Sequence, residues 1–511
     1  MMKKIGILCV LLVVFSCNES ILEEQSFDTL TEDSFFNNYE EANASLIGVY
    51  DLLSEVNYYK RAFLMITGYA GDEGYHNADL FSRYEDGTLL PTDGYVTGLW
   101  NSIFYMHGKA NFTIFALSNT PNLSSDEKKI FLGRLRFIRA LNLFNAVRLW
   151  GDIPLVKEYL VTEENSYPSR TPKSEVYAYI EEDLEYAIEN LNILEPQYGF
   201  PTKGAAYGLL GKVYMAQDKW PEAKVAVDEV IKLGVYDLLP NYLDVFDVNN
   251  ENNIEEIFSI QFSQDATIAG EQSKGSLLAY FYLPAFNTLG YAGDPDHPKG
   301  QMRVEHATYD RYTTGDYTVD KRNELFITNY VNSNTGATVT RYPENTSAAS
   351  QGPAYSKYRD PNNSNDRNYD NNLIILRYAD ILLMKAEIEN ELNGPTDVAY
   401  DAFDEVRGRS NSTLITRNLN KDTFRDAISN ERGIELFGEF QRYFDVLRMK
   451  KNGESYYKYY RELLVSEGKF THAAQNRWAL GYYPKYELMP IPSDEMALNP
   501  NINIADQNPG Y

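Results

Sequence analysis

Five histidines, two cysteines and 73 carboxylates are the groups of this 511-residue chain best suited to covalent or acid–base chemistry. The histidines, His76, His107, His297, His306 and His472, are scattered. No HExxH pair, GxSxG turn or Gly-rich phosphate loop accompanies them, so zinc hydrolysis, serine acyl transfer and nucleotide chemistry have no motif to rest on. The run from Asp360 through Asn362 to Ser364 has the oxygen-rich start of a calcium loop but lacks its central Gly and closing Glu. No metal and no cofactor are expected. Carboxylates are numerous enough for two to fall at glycosidase spacing. An all-helical glycoside hydrolase is therefore the alternative reading, although no carboxylate lies in a legible catalytic motif.

The cysteines point elsewhere. Lys3 and Lys4 precede an apolar run from Ile5 to Phe15 that is too short for the roughly 20 residues a membrane-spanning helix needs. A basic start, a short apolar run and small residues after it are the signature of a secretory signal. Ser16-Cys17 places a small residue before a cysteine, as in a bacterial lipobox, where cleavage leaves the cysteine first and acylated. Residues 1–16 are thus expected to be a lipoprotein signal peptide, Cys17 the lipidation site and 17–34 an acidic tether. Cys9 would leave with the signal, so neither a disulfide nor a thiolate metal site remains possible. Two or more acyl chains anchor stably, at roughly 0.8 kcal/mol per buried CH₂.

A third set of residues could recognise rather than react. The chain holds 41 tyrosines, and a Tyr ring offers a flat apolar face with a polar tip, suited to stacking under a sugar. Two loop segments set such rings beside hydrogen-bonding groups. The first runs from Gly68 to Tyr84 and offers Asp72, Tyr75, His76 and Tyr84; the second offers Tyr280, Tyr282 and Tyr291. Arg359, between Tyr358 and Asp360, could reach a hydroxyl or an acidic sugar. These eight are the candidate ligand contacts, because rigid scaffolds tend to display function on loops. Trp100 begins a helical run and is expected to pack. The net charge of −26 makes nucleic acid a poor partner.

The elements that must position these loops are helical. Ser124-Ser125-Asp126-Glu127 is a capping box opening a helix to about Leu149, which Pro154 stops, and Pro172 opens the next. Residues 204–234 have the tetratricopeptide pattern, with Tyr207, Leu210, Gly211 and Tyr214 in one helix and Ala223 and Val227 in the next. A weaker copy spans Leu373 to Arg409 through Ala386, Ala399 and Phe403. Between the copies, residues 240–372 are rich in Asn, Asp, Gly and Tyr, with strand-like runs at Glu256–Phe262 and Leu325–Val331. Residues 66–98 are expected to be a long irregular loop, and the tail from Met489 to be extended. The fold class is all-α: a tetratricopeptide-like helical scaffold carrying a large loop-rich insertion. Its single domain, 35–511, divides into a helical part (35–239), the insertion (240–372) and a second helical part (373–511). Arg377, Asp380, Glu387, Glu431, Arg432, Glu435 and Arg442 are expected to be ion pairs between helices rather than catalytic groups.

Five collinear blocks then carry a resemblance. GRLRFIRALNLFNAVRLWGDIPLV (133–156), the repeat ending IKLGVYDL, LRYADILLMKAEIENELNG (376–394), NERGIELFGEFQRYFDVLR (430–448) and MPIPSDEMALNPNINIADQNPGY (489–511) together resemble the SusD/RagB family of Bacteroidetes outer-membrane lipoproteins. The resemblance implies a glycan-binding, non-enzymatic surface lipoprotein. Its implied role is to capture oligo- or polysaccharide and deliver it to a SusC-like TonB-dependent transporter in the outer membrane. Surface display in these bacteria is favoured by acids just after the lipid cysteine; here the sequence departs from that pattern, since Asn18-Glu19-Ser20 supplies only one, with Glu23 and Glu24 further on.

Overall fold

The computed structural model describes residues 36, 38–76, 83–86, 88–159, 166–264, 274–283, 302–331, 336–340, 352–361, 368–466, 485 and 487–511. Its frame is a run of helices, most of them started by a local device that the sequence carries. In α1 (Tyr39–Asp51), the Asn38 side chain accepts the Glu41 amide. The next helix, α2 (Ala62–Ala70), is buried along its whole length. Asp93 caps α3 (Gly94–Asn119) through the amides of Tyr95 and Val96. The capping box forms at α4 (Ser125–Trp150): Glu127 takes the Ser124 amide at 2.8 Å and Ser124 takes the Glu127 amide at 3.3 Å. Pro172 precedes α5 (Lys173–Asn190), and Thr202 caps α6 (Lys203–Met215). A proline in the first turn starts α7 (Trp220–Lys232), a position that needs no amide hydrogen.

These helices pack in series, α3 on α4, α4 on α5, α5 on α6 and α6 on α7. From Phe131 on, α4 is buried on nearly all sides because it has a helix on either flank. Polar side chains on it reach partners on the flanking helices: Arg139 pairs with Asp183 at 2.7 Å, and the Asn142 side-chain amide donates to the Ile103 carbonyl at 2.8 Å. In the repeat pair α6–α7, small residues let the helices close. A Cβ on Gly211 would stand 3.0 Å from the Val227 side chain on α7. The stack continues from α7 to α9 (Tyr378–Asn393), then α10 (Asp397–Arg409) and α11 (Lys421–Glu435), although residues 233–377 intervene in sequence. The serial packing is the tetratricopeptide-like scaffold that the repeat pattern implied.

Two strands explain how so long an insertion leaves the stack intact. β2 (Glu256–Ile260) pairs antiparallel with β4 (Leu373–Arg377), Ile260 opposite Leu373. The incoming and outgoing strands of the insertion thus lie side by side. Within the insertion, short helical pieces, including α8 (His306–Thr313), alternate with two- and three-residue strands. Among the described residues, shorter helical elements follow α11, including α12 (Arg442–Arg448), α13 (Tyr456–Ser466) and a short helix at Ser493–Leu498.

Several expectations are corrected. Residues 66–70 close α2 and are not loop; a helix apolar on every side has no hydrophobic period to read. Leu373–Arg377 is strand, and the helix of the second repeat begins at Tyr378. Leu325–Val331 divides into a 3₁₀ end and two separate strands. Helix α4 ends at Gly151, with φ of +72°, before Pro154 is reached. The C-terminal tail folds back on the end of α4: the Met489 backbone amide donates to the Leu149 carbonyl, and the Asn508 side-chain Nδ2 to the Trp150 carbonyl. Trp100 is buried, edge-on to Trp150 with ring centroids 5.1 Å apart. Among the described residues, no helix is long and apolar enough to cross a membrane.

Candidate functional site

The loops expected to meet ligand converge on one platform, and its anchor is Asp72. This residue follows α2, and its carboxylate takes two hydrogen bonds from Arg442, at 2.7 and 2.9 Å, and one from Arg311 at 2.8 Å. Burial would raise its pKa, but the two guanidiniums outweigh burial and hold it well below the usual carboxylate range. Arg311 comes from α8 in the insertion and Arg442 from α12, so one carboxylate ties three distant segments together. Glu73 beside it is also buried, and its Oε1 has no hydrogen-bond partner. Burial first, and then the Asp72 charge, push the Glu73 carboxyl well above its ordinary range despite Arg442.

Strand β1 (Gly74–His76) pairs antiparallel with β3 (Met302–Val304), Tyr75 opposite Arg303. The Tyr75 ring is wholly buried and its hydroxyl accepts the Gly352 amide at 2.8 Å. Only glycine fits at 352, because a Cβ there would lie 2.2 Å from the Val304 carbonyl oxygen. Tyr282 packs among Tyr355, Tyr358 and Phe440, with centroids 5.9–6.3 Å apart. Tyr280 is buried edge-on to Phe281. Tyr84 is buried too, and donates to Asp93, the cap of α3, at 2.7 Å.

The structure therefore gathers Asp72, Tyr75 and Tyr282 into one platform, but as its interior. In this arrangement none of Asp72, Tyr75, Tyr84, Tyr280 or Tyr282 presents an open face to a ring, since each is packed against neighbouring loops. Arg359 is exposed at the rim, its carbonyl accepting the Asn371 side chain at 3.2 Å. Tyr291, the side chain of His76, and Cys17 lie outside the described residues.

The helix charges are paired, as their reading supposed. Arg377 meets Glu255 at 2.8 Å, Glu435 at 2.6 Å and Glu439 at 2.9 Å. Glu431 meets Arg322 and Arg407, each at 2.7 Å. Asp380 meets Lys212 at 2.6 Å and Arg432 at 2.8 Å, and Glu387 meets Arg448 at 2.5 Å. A carboxylate held by one or two cations at 2.5–2.9 Å is a poor general acid or base. Among the described residues no group of three or more His, Cys, Asp or Glu side chains is placed to hold a metal ion.

The sequence reading did not foresee a groove of about 920 Å³ at the C-terminal end of α4, bounded also by α12, the hairpin at 450–455 and the chain end at 505–509. Its walls include Phe144, Arg148, Tyr177 and Phe444. Eight arginine and lysine side chains line it against five aspartates and glutamates, in a chain whose net charge is −26. In sequence Arg148 is one basic residue in the last turn of a helix, where a cation is ordinary, so nothing marked it.

Comparison with known proteins places this geometry. The SusD family profile matches residues 254–511, and a second profile, described as starch-binding and associating with the outer membrane, matches 21–215. SusD-like protein P25 of Formosa agariphila is 27% identical over 100% of both chains. A SusD homologue from Bacteroides thetaiotaomicron superposes with a TM-score of 0.81 at 22% identity, covering 94% of this chain and 98% of its own. Surface glycan-binding protein A of the same species, in complex with laminarihexaose, superposes at 0.72 with 21% identity, covering 93% and 100%. At these identities the superpositions speak for the fold, and the profiles for the family.

Proposed function

From the premise that this chain belongs to the SusD family, whose members bind glycans without catalysis and are associated with the outer membrane, we propose that it captures oligo- or polysaccharide at the cell surface and hands it to a SusC-like TonB-dependent transporter. The observation that carries the proposal is the family match itself, which takes in both halves of the chain and an architecture shared with a laminarihexaose-bound protein. The platform suits such work. Its loops are braced by Asp72 and the aromatic cluster around Tyr282, so a sugar would meet a surface already in place, and preorganisation lowers the entropy lost on binding. Arg359 is the direct contact we assign at its rim, with Tyr75, Tyr280 and Tyr282 supporting the loops from beneath. Anchoring through acylated Cys17 would keep the protein beside its transporter.

The test is calorimetric titration of the purified protein with neutral oligosaccharides, laminarihexaose first, while released sugar is followed in the same mixtures. Saturable binding without product, weakened about tenfold in Arg359→Ala, is the expected result; the loss of one charge-assisted hydrogen bond has that size. Release of shorter sugars would overturn the reading in favour of a hydrolase. For the anchor, Cys17→Ser should move the protein from the membrane fraction to the soluble one, and an unchanged distribution would remove Cys17 from the account.

A further inference from the structure

We propose that the groove at the end of α4 is a second saccharide site, selective for acidic sugars, in which the Arg148 guanidinium takes a carboxylate or sulfate ester carried on the chain. The argument begins with the ion pairs beside it. Lys212, Arg432 and Arg448 meet Asp380, Asp445 and Glu387 in a continuous line: Lys212 to Asp380, Asp380 to Arg432, Arg432 to Asp445, Asp445 to Arg448, Arg448 to Glu387. Three cations answer three carboxylates, and the line is complete without Arg148.

Arg148 adds a fourth positive charge. Among the described residues no carboxylate lies within 4.0 Å of it; its Nε donates to the Phe144 carbonyl at 3.2 Å and its Nη2 to the Asn145 side chain at 2.7 Å. Its Nη1 has no hydrogen-bond acceptor there. The guanidinium is held between the rings of Phe144 and Phe444, 3.9 and 3.8 Å from their centroids. The two π faces stabilise the cation without neutralising it and fix its plane. Burial pulls its pKa down to about 10, with the tyrosines around it and Asp445 returning only part of the loss, so it remains charged at neutral pH. A rigid, half-buried arginine with unused donors, opening on a groove, is a preformed seat for an oxyanion.

The surroundings agree. The lining carries eight cations against five carboxylates, and once Asp380 and Glu387 behind the wall are counted one positive charge is left over, although the whole chain is strongly acidic. Four of the five lining carboxylates are engaged: Asp445 in the line of pairs above, Asp152 by the Lys173 amide at 2.7 Å, Asp506 by the Asn503 amide at 2.9 Å, and Glu454 by Lys458. The groove's volume falls in the ~300–1,000 Å³ range of small-ligand sites. Tyr177 and Phe444 give it apolar faces, and Gln441 and Ser455 add polar groups to its wall. That the anion is carried on a sugar rests on the function proposed above; the need for an anion does not.

The experiment titrates the purified protein, and its Arg148→Met and Arg148→Lys variants, with oligogalacturonate, a sulfated galactan oligosaccharide, laminarihexaose and hexaglutamate. The expected result is saturable binding of at least one acidic saccharide, weakened tenfold or more in Arg148→Met and partly restored in Arg148→Lys. Binding of laminarihexaose should be equal in all three proteins. Oligogalacturonate against sulfated galactan tells carboxylate from sulfate. Binding only of neutral sugar overturns this inference and leaves the proposed function standing. Binding of no sugar at all overturns both. Acidic sugar bound equally by Arg148→Met, or hexaglutamate bound in place of saccharide, overturns the site or its ligand class. Thermal melting of the variants separates a lost site from a lost fold.

Discussion

Two sets of buried charges in this molecule use the same residue types and end differently. Under the platform, Arg322, Arg377, Arg407, Arg409 and Lys357 face Asp320, Glu255, Glu431, Glu435 and Glu439, five cations against five carboxylates, all nearly or fully buried. At the groove, Lys212, Arg432, Arg448 and Arg148 face only Asp380, Asp445 and Glu387. The first set joins the insertion (Glu255, Asp320, Arg322, Lys357) to the helices and turns that follow it, and its balance makes it a fastening. The second leaves one cation over, at a wall that solutes can reach. A buried charge without a partner is destabilising, so its persistence at a groove is a sign of use, whereas a balanced network asks for no more than a structural explanation.

The comparison can be broken at four places. The largest effect is expected at Glu435, which lies among Arg409, Arg377 and Arg322. Burial would raise its pKa, but the three guanidiniums hold it far below the usual range. Glu435→Gln orphans buried cations and should cost about 3–5 kcal/mol in denaturant unfolding. A loss under about 1 kcal/mol would mean that the network is not the fastening described.

Next is Asp72→Asn, expected to cost about 2–3 kcal/mol by loss of charge-assisted hydrogen bonds to Arg442 and Arg311. The pH dependence follows from its depressed pKa. The carboxylate's contribution is present above the unfolded value, about 3.9, and is lost as pH falls from there toward the lower folded value. Melting temperatures between pH 6 and pH 3 should therefore fall less steeply in Asp72→Asn than in the parent protein. Parallel slopes would contradict the assignment.

Glu73 is the reverse case. Its folded pKa lies above its unfolded value, so its contribution is fully favourable below about pH 4.3 and is lost as pH rises through the raised folded value. Glu73→Gln should stabilise the protein by about 1 kcal/mol at pH 8, a gain the size of one buried unsatisfied group, and the gain should vanish near pH 4. A variant destabilised at pH 8 would show that Glu73 is ionised and paired.

The smallest effect is the sharpest contrast. Arg148→Met removes a cation that no carboxylate needs and leaves an apolar chain between two rings, so its stability should change by about 1 kcal/mol or less. Arg377→Met should cost several times as much, about 3–5 kcal/mol. Equal losses would erase the distinction between the two networks.

Much of the frame was legible because its causes are local. The Ser124–Glu127 box, Pro172 before α5, and the repeat residues Tyr207, Gly211, Ala223 and Val227 each act within a turn or two, so a short window of sequence contains both cause and effect. Ion pairing of Arg377, Glu431 and Glu435 could be anticipated from type alone, since charges inside apolar helices must be matched. What a window cannot contain is the partner. Helix α2 was illegible because burial on all sides erases the period. The pairing of Glu256–Ile260 with Leu373–Arg377 was hidden by the long insertion between them. Tyr75, Tyr280 and Tyr282 read as ligand faces in the sequence because an aromatic in a loop looks the same whether it turns outward or, as here, inward onto other loops. Arg148 shows the limit most plainly: its sequence neighbours are those of any helix end, and its surplus charge exists only after Asp380, Asp445 and Glu387 have been drawn in from elsewhere and matched to other cations. The amino-acid sequence by itself determined most of the helices and the family they build; the tertiary structure decided which side chains are left unmatched, because charge balance is a property of neighbours in space.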